Sequence, residues 1–120
     1  GEPPGFVSAM ASTVEDGLEA YPEAERDDVL VMFSAHSLPL SVIDRGDAYP
    51  AEIAASVSRV VETIGLKNPW MVTYQSEVGP VRWLGPSTET VIEQLAARGQ
   101  KNLLVVPIAF TSDHIETLSE

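Results

Sequence analysis

The chain has 120 residues, 44% of them hydrophobic, a length and composition that suit one globular domain with a modest core. It contains no cysteine, which excludes disulfides and thiolate metal sites formed from these residues. The formal net charge of −11 disfavours contact with nucleic-acid phosphates, and no apolar run reaches the length of a membrane span.

Residues 5–20, GFVSAMASTVEDGLEA, place Phe6, Val7, Met10, Val14 and Leu18 at helical spacing. Tyr21-Pro22 and the charged run after them form a polar break. Residues 29–35, VLVMFSA, are nearly all apolar, which suits a strand covered on both faces. A long loop over 36–50 follows, with two prolines, Pro39 and Pro50, the second placed to open the next helix. Residues 51–65 form that helix, with Ile53, Val57, Val60, Val61 and Ile64 on one stripe and Gly65 as its stop. Residues 69–76 are a second strand, and 77–86 a second rich loop. A helix runs from Ser87 to Arg98, with Ser87 or Thr88 as its cap and Gly99 as its stop. Residues 102–110 form the third strand, and SDHIETLSE starts a further helix that ends without a closing signal. The chain is therefore expected to be a piece of a larger protein.

The order α-β-α-β-α-β-α implies right-handed crossovers and an α/β fold: a parallel sheet flanked by helices on both faces. In such folds ligands sit outside the carboxyl ends of the strands. The chain has two histidines. His36 follows the first strand, Gln75 and Ser76 end the second, and Asp113, His114 and Glu116 follow the third. If the first and third strands are neighbours, His36 faces the 113–116 turn across a short gap.

Each of these residues also has a plainer reading. Asp113 and Glu116 have the spacing of a capping box, His36 could be an ordinary hydrogen-bonded strand-end residue, and Trp83 could be core. Ser34 and Ser76 are pocket polar groups or strand-end caps. Arg45 could meet a carboxylate ligand or pair with Asp44 or Asp47. Two imidazoles beside two carboxylates suit metal binding and proton abstraction together. Inserting a divalent metal into a porphyrin needs both, because two pyrrole protons leave as the metal enters.

Three segments carry a resemblance. VMFSAHSLPLSVIDRGDAY resembles the ferrochelatase signature. YQSEVGPVRWLGPSTE is similar to that family's Gln-Ser, Gly and Trp-Leu segment, and VPIAFTSDHIETLSE to its strand and following Ser-Asp-His/Cys-x-Glu-Thr-Leu. They occur in the family's order across residues 29–120, and their wording is closest to the mitochondrial branch. Ala48 departs from the proline common after Gly-Asp, a change expected to alter loop stiffness alone.

The resemblance implies a chelatase-like lobe of Rossmann or flavodoxin type, the second of two lobes, covering residues 1–120 without the first lobe or the C-terminal tail. It implies insertion of Fe²⁺, as substrate, into protoporphyrin IX in the last step of haem synthesis. His36 and Glu116 would be catalytic. His36, Glu116, Asp113 and His114 would be the metal-facing set, and Trp83, Ser34 and Ser76 would bind the porphyrin. The implied partners are protoporphyrin IX, ferrous iron and the first lobe, with room for a homodimer, on the matrix side of the mitochondrial inner membrane. An iron–sulfur cluster, where family members have one, would draw its cysteines from outside this chain. The fragment alone is expected to be inactive. A cobalt-inserting chelatase and a non-catalytic α/β binding module are the alternatives.

Overall fold

The computed structural model describes residues 2–75 and 81–108. Its elements are α1 (Phe6–Glu19), α2 (Glu23–Arg26), β1 (Leu30–His36), α3 (Leu40–Asp44), α4 (Tyr49–Ile64), β2 (Trp70–Gln75), α5 (Thr88–Ala97) and β3 (Leu103–Pro107). The expected longer helices and three strands are present within a few residues of their expected ends. The helix expected after residue 111 lies outside the described residues. Two one-turn helices are additional. α2 lies in the expected polar break and α3 in the expected loop, and neither buries a residue. α3 does pack half-buried Val42 and Ile43 against the core, but a single turn is too short to show a helical period.

The three strands form one parallel sheet in the order β2-β1-β3. The first and third strands are therefore neighbours. The chain passes from β1 to β2 in one direction and from β2 back across β1 to β3 in the other. Right-handed crossovers then put α4 and α5 on opposite faces. The pleat agrees. Val31, Phe33 and Ala35 alternate onto one face and join a core with Met10 and Val14 of α1 and Ile53, Val57 and Val60 of α4. Met32, Ser34 and His36 alternate onto the other, where Thr88 of α5 meets Ser34.

Local chemistry explains the helix ends. Asp47 Oδ1 accepts the Tyr49 backbone N–H at 2.7 Å, which fixes the entry to α4, and Pro50 sits in the first turn where no N–H is needed. Pro50 is thus one residue inside the helix and not its first residue. Gly65 closes α4 at φ +68°, a left-handed conformation that side-chain-bearing residues rarely adopt. The C-terminal turn of α1 is satisfied by Arg26, whose guanidinium donates to the carbonyls of Leu18 at 3.0 Å and Tyr21 at 2.9 Å. Ser87 is the cap of α5: its hydroxyl accepts the Thr90 N–H at 3.1 Å.

Candidate active site

The carboxyl ends of all three strands share one rim, because the sheet is parallel. His36 ends β1 there, opposite Gln75 of β2, and its side chain is exposed. On its other side β3 leaves the rim beside Ser34, whose carbonyl accepts the Ile108 N–H at 2.8 Å. The imidazole therefore stands on the central strand with a neighbouring strand end on each side.

The loop after His36 is held by the segment before α5. Ser37 Oγ donates to the Leu84 carbonyl at 2.6 Å. The Leu84 N–H donates to Leu38 O at 2.7 Å, and the Leu40 N–H donates to Arg82 O at 2.8 Å. Pro39 and Trp83 thereby form a short antiparallel bridge. The half-buried Trp83 ring is carried on this bridge, three residues along from His36 on the paired chain. Its indole Nε1 is shielded and has no hydrogen-bond partner among the described residues. A shielded donor without an acceptor is uncommon in folded proteins. Beside α3, an open cavity of about 340 Å³ is lined by Leu40, Ser41, Asp44, Val81 and Arg82.

Beneath the rim the side chains are locked. Ser34 is 3% exposed, and its hydroxyl lies 2.9 Å from Thr88 Oγ1, to which it is hydrogen-bonded. Thr88 Oγ1 is also bonded to Thr73 Oγ1 at 2.7 Å. On the opposite face Tyr49 and Tyr74 meet at a ring-centroid distance of 6.4 Å. Burial raises both phenols above the ordinary tyrosine value, and for Tyr49 the neighbouring Tyr74 and Asp47 add to it. Both remain protonated at neutral pH and cannot serve as bases.

Of the residues expected to form the site, His36, Trp83 and Ser34 are described. His36 and Trp83 share the rim, while Ser34 lies two residues below it with its hydroxyl occupied by Thr88. Ser76, Asp113, His114 and Glu116 lie outside the described residues. Thr73 and Ser37 were not singled out from the sequence, and Thr88 was read only as a possible helix cap. The available signal was a hydroxyl residue within two of the apolar strands, Ser34 in β1 and Thr73 in β2, since a buried hydroxyl needs a partner. A wider depression of about 550 Å³, lined among others by Glu25, Asp28 and Lys101, lies at the other end of the sheet. Among the described residues that line it there is no aromatic ring and no histidine.

The chain was compared with known proteins. The family model described as Ferrochelatase matches residues 2–120. This chain belongs to the ferrochelatase family. It is 53% identical over 116 residues to the mitochondrial ferrochelatase of Schizosaccharomyces pombe, covering 97% of this chain and 27% of that protein. It is 50% identical over 117 residues to that of Xenopus laevis, covering 98% of this chain and 28% of the relative. It is 50% identical over 115 residues to that of Homo sapiens, covering 96% and 27%. The chain thus spans under a third of the length of these curated ferrochelatases. Within this ferrochelatase segment, the described part of the candidate site is an exposed imidazole on the central strand and an aromatic ring bridged to the loop after it.

Proposed function

We propose that this chain forms the second lobe of an enzyme that inserts Fe²⁺ into protoporphyrin IX to give protohaem. The observation that carries the reading is family membership over residues 2–120 together with an exposed His36 at the rim, three residues before the Pro39 that bridges to Trp83. The reaction exchanges two pyrrole N–H protons for one dication, so charge balances when both protons leave. A neutral imidazole at His36 has one nitrogen lone pair free to accept such a proton. Glu116 stabilises the imidazolium or passes the proton on, and Asp113 and His114 supply acidic and polar groups that guide or relay protons or metal. Trp83 offers a flat apolar face to the macrocycle. Ser76 contributes a polar group to the pocket, whereas Ser34 acts through Thr88 and not on the ring.

A first lobe of the same enzyme would supply the opposite wall, and a second copy would complete a homodimer. We assign the enzyme to the mitochondrion, at the matrix side of the inner membrane; the printed names of the relatives support the mitochondrial part. Any iron–sulfur cluster in the complete enzyme would need cysteines from elsewhere, since this chain has none.

The test is His36→Ala in the complete enzyme, assayed for protoporphyrin metallation with Fe²⁺. The expected result is a fall in kcat of about 100- to 10,000-fold, the range for loss of a general base, with porphyrin still bound. Retention of wild-type turnover would remove His36 from the chemistry and overturn the reading. Preference for Co²⁺ and a different tetrapyrrole would redirect it to another chelatase.

A further inference from the structure

We infer that Thr88 is a positioning residue for His36, acting through a buried hydroxyl junction that joins β1, β2 and the start of α5. The inference rests on the proton-accepting role proposed above for His36. Ser34, Thr73 and Thr88 are 3%, 0% and 7% exposed, so their hydroxyls depend on one another. Ser34 and Thr73 are register partners in adjacent strands, and Thr88 Oγ1 reaches both, at 2.9 and 2.7 Å. A hydroxyl carries one proton and two lone pairs, so Thr88 donates to at most one of these neighbours and accepts from at least one. Removing it leaves two buried hydroxyls without this partner.

The position of the junction gives it a role beyond stability. His36 is two residues after Ser34 and lies on the same face of β1. On its other side, Ser37 and Leu38 are bonded to Leu84. The 82–88 segment therefore grips the chain on both sides of His36, at Ser34 through Thr88 and at residues 37–38 through Leu84. The same segment carries Trp83. The spacing between the imidazole and the indole wall is set through these two grips, and Thr88 is the side-chain half of one of them. Catalytic geometry is unforgiving at this scale: a displacement of about 1 Å can cost on the order of 100-fold in rate.

The experiment uses the complete enzyme and four variants: Thr88→Val, Thr88→Ser, Ser34→Ala and His36→Ala. Metallation of protoporphyrin with Fe²⁺ is measured at steady state, with folding checked by circular dichroism. Thr88→Val keeps the shape but loses the hydroxyl, and kcat is expected to fall about 10- to 100-fold while KM for porphyrin stays within about threefold. Thr88→Ser keeps the hydroxyl and is expected to return kcat to within about threefold of wild type. Ser34→Ala cuts the link to β1 while leaving Thr88 bonded to Thr73, and kcat is expected to fall about 5- to 20-fold. Wild-type kcat in folded Thr88→Val overturns the inference, as does a Thr88→Ser enzyme no better than Thr88→Val. Should Thr88→Val not fold, Ser34→Ala decides, and wild-type kcat there overturns it. If His36→Ala is inactive while Ser34→Ala is unimpaired, this inference alone fails; if His36→Ala is fully active, the functional reading fails.

Discussion

Tyr49 is completely buried, yet its hydroxyl has no hydrogen-bond partner among the described residues. An unsatisfied buried hydroxyl costs about 1–3 kcal/mol, so deleting it should help and not harm. Tyr49→Phe is expected to stabilise the fold by about 1 kcal/mol, read as a raised unfolding midpoint at pH 7. The pH dependence has a defined sign. Burial holds the Tyr49 pKa above its unfolded value of about 10. Below that pH the native and unfolded states bind the same proton and stability is at its full value. As pH rises past it, the unfolded state loses the proton first and stability falls. The variant should lose part of this alkaline fall and keep the part due to Tyr74, whose phenol is shifted the same way. An unchanged alkaline slope in Tyr49→Phe would contradict the assignment. At this scale the sequence was partly legible. His36 stood out because an ionisable residue directly follows an apolar run. The partner of Ser34 did not, because Thr88 lies 54 residues away. In a strand covered on both faces, alternation alone does not say which helix each side chain meets.

Among the elements, the approach of α1 to β3 depends on Gly17. A Cβ placed there would lie 2.7 Å from Leu104 Cδ1 and 2.8 Å from its Cδ2, inside contact distance. Two effects oppose each other on substitution. Alanine raises helix propensity by about 1 kcal/mol over glycine, whereas overpacking costs about 1–3 kcal/mol. The atoms met belong to the end of a leucine side chain, which can rotate away. Gly17→Ala is therefore expected to lie within about 1 kcal/mol of wild type, and Gly17→Val to lose about 2–3 kcal/mol. Denaturant unfolding checks both, and a Gly17→Val protein as stable as wild type would show that the helix can lift from the sheet at no cost. The long helices and the strands were legible because each buries a face with its own period. α2 and α3 were not, since a helix of one turn is too short to show a period and differs little in pattern from a loop.

For the molecule as a whole, the proposed chemistry needs two sides of a cleft. A porphyrin held against one wall is open to water, and the ring bending that exposes its nitrogen lone pairs has to draw on contacts made elsewhere on the macrocycle. The 120-residue chain by itself is expected to metallate protoporphyrin more than about a thousandfold more slowly than the complete enzyme. A metallation assay on the isolated chain checks this, and turnover comparable to that of the complete enzyme would mean that one lobe suffices.

From the sequence alone come the α/β class, the parallel sheet, the placement of His36 at a strand end and the family resemblance, because periodicity and motif are local properties that survive without coordinates. The tertiary structure decided that β1 is central, with β2 and β3 on its two sides, and that residues 82–88 close around His36. Strand order and hydroxyl pairing depend on which distant segments meet, and that is set by how α1 and α4 bury their apolar faces on one side of the sheet while α5 packs on the other.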